Sequence, residues 1–194
     1  DDISPLLLKD YLTKIDSRLA KANFATDIET ILDQMQLYDG PKEKRIIKNV
    51  AAMMFSEHPE KFFPTTQVDI VVFPKGREVD PENFIEVPPI KGPVPMMIRN
   101  SLEYLRTNII KERITKPTDD ERSLKVFNYP FQALEEAVVN ALYHRDYKER
   151  EPVEITIEPD RISILSYSGP DRSISLESLK EANMLRSRRY RNRR

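Results

Sequence analysis

The sequence predicts an α+β fold: a helical first half followed by a module in which helices are layered on a small sheet. Three observations carry this. Apolar residues recur at helical spacing in four stretches before residue 115. A short β-branched run, Gln67–Phe73, interrupts them. After residue 130 the order becomes helix, strand hairpin, helix. The expected division is a helical segment over 1–65, a strand, proline-rich loop and long helix over 66–129, and a layered module with a basic end over 130–194.

Each element has a local cause. Ser4-Pro5 supplies an N-cap and a first-turn proline, and Leu8, Leu12, Ile15 and Leu19 extend the helix over 5–21. Thr26 and Glu29 form a capping box, after which Ile28, Ile31, Leu32 and Met35 run to the stop at Gly40-Pro41. Lys42 to Phe55 repeats the pattern through Ile46, Ile47, Val50, Met53 and Met54. Gln67–Phe73, bounded by Pro64 and Pro74, reads as a buried strand. Six prolines between Pro74 and Pro95 exclude a helix there. The stretch reads as a linker or a crossing loop, and Phe84, Ile85, Val87 and Ile90 favour one that packs. Met96 to Ile114 is expected to be helical, with Ile98, Leu102, Leu105 and Ile109 on one face, and Lys116 to Arg122 is a polar break. A helix is expected from Phe131 to about Asp146, then strands over Pro152–Glu158 and Arg161–Tyr167 around the Pro159-Asp160 turn. Ser175 caps a last short helix, with Glu177 and Glu181 near its ends.

Composition narrows the chemistry. The chain of 194 residues, 39% of them apolar, is long enough to bury a core without covalent staples. With no cysteine, disulfides, thiolate catalysis and cysteine-ligated zinc are excluded, and a reducing cytoplasm fits. His58 and His144 are too far apart in sequence to suggest a metal pair. The four glycines, Gly40, Gly76, Gly92 and Gly169, are too dispersed for a Walker A loop or a dinucleotide fingerprint. The net charge of -1 hides a segregation: six of the 31 basic residues fall between Arg186 and Arg194, leaving 25 against 32 acids elsewhere. An acidic body with a basic end favours contact with a polyanion, through Arg186, Arg188, Arg189 and Arg191, with Tyr190 available for stacking. A solubilising tail explains the same residues equally well. No apolar run reaches the length of a membrane span, and no signal pattern opens the chain. Starting at Asp1 and stopping within an arginine run, the sequence reads as an excised piece of a longer protein.

The helix after Pro130 is the one that could carry chemistry. At about 100° per residue, Phe131, Leu134, Val138 and Leu142 form a core stripe. Glu136, Asn140 and His144 form a second stripe, roughly opposite, each one turn from the next. A solvated helix face explains that pattern. So does a site in which Glu136 orients or deprotonates water and Asn140 offers an oxygen to Mg²⁺. A Ser-His-Asp arrangement has no support beyond the presence of His144.

The run Ala133-Leu-Glu-Glu-Ala-Val-Val-Asn-Ala-Leu-Tyr-His-Arg-Asp-Tyr147 is followed by Val153-Glu-Ile-Thr-Ile157, Arg161-Ile-Ser-Ile-Leu165 and Ser168-Gly169-Pro170. Together these resemble the C-terminal ATPase-like module of the RecG-related transcriptional regulators, in which the module follows an AlbA-type (Schlafen-like) DNA-binding domain. The resemblance is specific over residues 130–170 and weaker over the helical half; the end from Arg186 is similar to the family's Arg-Asn segment. The family is similar to the GHKL ATPases of gyrase, a heat-shock chaperone and the histidine kinases. The resemblance implies a partial GHKL (Bergerat)-like module with Mg-ATP held between helices and sheet. It also implies Glu136 as catalytic or water-orienting residue and Asn140 as Mg²⁺ ligand, with His144 and Gly169 near the phosphates. It assigns no role to Arg145 and Asp146. GHKL proteins recognise adenine through an Asp-x-Gly-x-Gly motif, whereas Leu165-Ser-Tyr-Ser-Gly-Pro170 has one glycine and no aspartate. Losing a charged hydrogen-bond acceptor costs about 1.5–3 kcal/mol. The second glycine-rich segment is expected beyond Arg194, so this piece should bind nucleotide weakly at best through an incomplete site, and hydrolysis by it is not expected.

The expected function is an ATP-binding regulatory module of a cytoplasmic bacterial transcriptional regulator. Its partners would be DNA, through the parent's N-terminal domain, and a second copy in a homodimer. The alternative is a non-catalytic interaction or dimerisation domain with a degenerate ATPase site. A third reading, nucleic-acid binding by the arginine end, would be electrostatic and salt-dependent. Helicase activity has no support, since the sequence holds neither a P-loop nor a motor pattern.

Overall fold

In the computed structural model, which describes residues 2–22, 24, 27–115, 124–167 and 177, the chain opens with α1 (Pro5–Lys14). The helix expected over 5–21 stops early because Asp16 adopts a left-handed φ of 51°. Ser17 N–H then reaches Leu12 O at 2.9 Å and Asp16 N–H reaches Thr13 O at 3.1 Å, the two bonds of a Schellman stop. A 3₁₀ turn, Arg18–Lys21, follows. α2 (Ile28–Gln34) ends in the same way, with Gln36 at φ 56° and Leu37 N–H on Leu32 O at 2.9 Å. Neither stop uses glycine, so apolar spacing alone overruns both. Asp27 occupies the N-cap of α2, and the Thr26 half of the expected capping box lies outside the described residues.

The helix expected over Lys42–Phe55 is divided. β1 (Tyr38–Asp39) and β2 (Ile46–Ile47) pair antiparallel around a 3₁₀ turn, Lys42–Lys44, and the α-helix is confined to α3 (Asn49–Phe55). Gly40 makes the hairpin possible: its φ is 84°, and a Cβ there would lie 2.7 Å from the Lys44 carbonyl oxygen. Leu8, Leu12, Ile31, Leu32, Ala51 and Phe55 form the core of this first part.

β3 (Gln67–Val72) forms where expected. The proline-rich stretch is more than a loop, for it contains β4 (Ile85–Lys91), antiparallel to β3. The register pairs Ile70 with Val87 and Val68 with Ile90, so Pro88 and Pro89 stand opposite the single Asp69 in a bulge. The prolines are tolerated because β4 is an edge strand. α4 (Val94–Asn108) ends short of the expected Ile114, and Glu112–Thr115 is a strand, β5, paired with β6 (Leu124–Phe127). Asn128 turns the chain there: its Oδ1 accepts Lys111 N–H at 2.7 Å, and its Nδ2 donates to Ile109 O at 2.9 Å. The polar break from Lys116 to Arg122 lies outside the described residues.

α5 (Phe131–Tyr143), β7 (Val153–Ile157) and β8 (Ile162–Leu165) complete the described fold. The sheet order is β4-β3-β7-β8, with β3 and β7 parallel and the outer pairs antiparallel. Met97 and Leu105 of α4 and Val138 and Leu142 of α5 pack on one face of the sheet against Val68, Ile70, Val153, Ile155 and Ile157. The other face carries the polar, half-buried neighbours Asp69 and Glu154. This is an α+β architecture. Among the described residues no helix is long and apolar enough to cross a membrane.

Candidate functional site

α5 is positioned by its apolar side. Leu134, Val138 and Leu142 are 8%, 1% and 0% exposed, and Val138 and Leu142 sit on the sheet, which turns Glu136 and Asn140 outward. Both are exposed, and neither side chain is held by a hydrogen bond or ion pair among the described residues. His144 caps the helix, donating its N–H to Asn140 O at 3.0 Å. Its exposed ring stands edge-on to Tyr143, with centroids 5.0 Å apart. The structure therefore keeps Glu136, Asn140 and His144 along one helix edge. It adds Tyr143, 73% exposed, which at about 100° per residue falls within roughly 20° of Glu136.

This face is open. One cavity of about 270 Å³ lies where Asp2 and Ser4 meet Glu57, His58 and Lys61; another, of about 120 Å³, lies between α1 and the start of α4; α5 lines neither. No group of three or more His, Asp or Glu side chains gathers to hold a metal among the described residues. Mg²⁺ commonly takes one or two protein oxygens and completes its shell with phosphate and water. An outward Asn140 carboxamide with Glu136 one turn away fits that demand. Gly169, Arg186, Arg188, Arg189 and Arg191 lie outside the described residues, as do Ser175, Glu181 and Tyr190.

Arg145, left without a role by sequence, is 5% exposed. Its Nη2 donates to Glu151 O at 2.6 Å, Glu149 O at 3.3 Å and Thr65 Oγ1 at 3.4 Å, and its guanidinium lies 5.1 Å from the Tyr147 ring centroid. Burial lowers its pKa from the ordinary arginine value, though an arginine stays charged. Tyr147 donates its hydroxyl to Leu142 O at 2.6 Å, and burial pushes its phenol up to about 12. Asp146 is exposed; its Oδ1 accepts Lys148 N–H at 3.0 Å and its N–H donates to Tyr167 O at 3.3 Å. One signal for the burial of Arg145 was available: it lies three residues after Leu142 and seven after Val138, on the line of the core stripe. Glu158, also unremarked in the sequence, is buried at the β7–β8 turn. It accepts Arg161 Nε at 2.5 Å and Arg77 N–H at 3.0 Å, and these bonds hold its carboxyl below the usual range.

No model of a known family and no curated protein matches this chain. Among solved structures it is similar to the crystal structure of the DIP2311 protein from Corynebacterium diphtheriae, with a TM-score of 0.62 and 20% identity. The match covers 92% of this chain and 33% of that one, so the chain spans about a third of the other protein's length, and the likeness is one of fold.

Proposed function

We propose that the chain is the ATP-binding regulatory module of a cytoplasmic bacterial transcriptional regulator of the RecG-related kind. The observation that carries this reading is the outward pair Glu136 and Asn140, one turn apart on a helix whose other side is fixed in the core. Bound Mg²⁺ would neutralise phosphate charge. Asn140 would offer it a carboxamide oxygen, and Glu136 would orient water beside the phosphates. His144, exposed one turn further on, would approach the same group. Nucleotide would then bias how the module sits against a DNA-binding domain in the parent protein.

Isothermal titration of Mg-ATP into the chain tests this directly. Saturable binding that Glu136→Ala and Asn140→Ala each weaken by about tenfold, roughly 1.4 kcal/mol, is the expected result. Absence of binding in both this chain and the full-length parent would overturn it. One observation favours the second reading, a non-catalytic dimerisation module: β8 is an edge strand among the described residues, with Leu165 47% exposed at its end. A dimer whose mass by light scattering is insensitive to Mg-ATP, with no nucleotide bound, would support that instead.

A further inference from the structure

Arg145 is a cation withdrawn from water with no carboxylate among its hydrogen-bond partners. All three acceptors are taken by one nitrogen, Nη2, while Nε and Nη1 are buried without a partner among the described residues. Such a side chain is costly to bury. Its acceptors come from two separate places: Thr65 stands just before β3, and Glu149 and Glu151 stand just before β7. β3 and β7 are parallel neighbours, so one guanidinium ties both strand entries to the end of α5.

Thr65 is itself strained. It is a β-branched residue at φ 65°, a region such side chains rarely occupy unless their surroundings hold them there. Arg145 reaches its hydroxyl, and Gln67 N–H bonds its carbonyl at 2.9 Å. Phe63, two residues earlier, sets its ring edge against Tyr147 at 6.5 Å, and Tyr147 in turn holds the Leu142 carbonyl. The strained junction between the two cores and the last turn of α5 therefore share one knot of contacts.

We propose that Arg145 is a positioning residue: its buried guanidinium locks the last turn of α5, which carries Asn140 and His144, to the Thr65 junction, so that a displacement of the helical half is felt at the outer face of α5. The mechanical coupling stands on these contacts alone; its consequence for a nucleotide rests on the function proposed above.

Amide hydrogen exchange on the whole chain tests the coupling, comparing wild type with Arg145→Met, Arg145→Lys and Thr65→Gly. Glycine accepts the positive φ and removes the side chain, with its hydroxyl contacts to Arg145 and the Pro64 carbonyl, so that variant should fold even where Arg145→Met does not. Exchange at residues 140–144 should rise about tenfold in Arg145→Met, less in Arg145→Lys, and a few-fold in Thr65→Gly, with Leu105 and Ile155 still protected. The Thr65→Gly response is the telling one, because among the described residues the Thr65 side chain is joined to the end of α5 through Arg145. Residues 140–144 as protected as in wild type in a folded Thr65→Gly variant would overturn the proposal. Mg-ATP titration of the same variants adds the second readout. Weakening of about tenfold in Arg145→Lys, with the fold intact, is expected if Asn140 and His144 are held for a ligand. Unchanged affinity alongside raised exchange would overturn that ligand role, and a wild-type chain that binds no nucleotide would sink the ATP reading while the exchange result still decides the coupling.

Discussion

Glu136 and Asn140 separate ligand binding from stability because both are exposed. Replacing either with alanine should change the unfolding free energy by no more than about 0.5 kcal/mol, checked by urea denaturation alongside the titration above. Tyr147 makes the opposite kind of statement. Its pKa is raised to about 12 in the folded chain by burial, against about 10 for an unfolded tyrosine. The unfolded state thus loses this proton first. The contribution of Tyr147 is fully present below pH ~10 and is lost as pH rises toward ~12. Alkaline denaturation of wild type and Tyr147→Phe should show it: the variant loses about 1 kcal/mol at neutral pH with its hydrogen bond to Leu142, and its stability falls less steeply across that window. Equal slopes would mean that the phenol is not protected by the fold. Tyr147 and Arg145 also show what pattern reading missed: Arg145 continues the line of the core stripe, but only Thr65, Glu149 and Glu151 brought round it show how its charged end is held there.

For the elements, the legible part was whatever depends on neighbours in sequence. Val138 and Leu142 were placed in the core by spacing alone, and they are 1% and 0% exposed. Leu142→Ala should therefore cost about 2–5 kcal/mol, whereas Leu6→Ala, at a side chain 73% exposed in a comparable helix, should stay within about 0.5 kcal/mol. Similar losses in the two denaturation curves would argue against the assigned faces. β3, β7 and β8 were legible for the same reason, as short β-branched runs bounded by proline or a turn. β4 was not. Its prolines argue against a strand, and they fit only because the bulge opposite Asp69 and the position at the sheet edge leave their missing N–H groups without consequence. The end of α4 is a similar case, decided by Asn128 from across the β5–β6 hairpin.

At the scale of the whole fold, the described residues form two apolar cores, one around Leu8 and Leu12 and the other around Val153 and Ile155. Truncations in different cores should act independently. Leu12→Ala with Ile155→Ala should add within about 0.5 kcal/mol, and Val138→Ala with Ile155→Ala, which share a core, should depart from additivity by more than that. Additivity in both double mutants would mean that α5 and β7 are not packed as described. By itself the sequence determined the α+β class, the helix after Pro130, the hairpin around Pro159-Asp160 and the outward stripe of Glu136, Asn140 and His144. Each of these follows from periodicity or turn chemistry within a few residues. Only the tertiary structure decided that β3 and β7 lie side by side, that two prolines sit in a strand, that Asp16 and Gln36 end helices at positive φ, and that Arg145 is buried against Thr65. The strand pairing, the prolines in β4 and the burial of Arg145 depend on partners distant in sequence, through contacts that exist only once the chain has folded, whereas the two helix stops are local bonds that apolar spacing does not register.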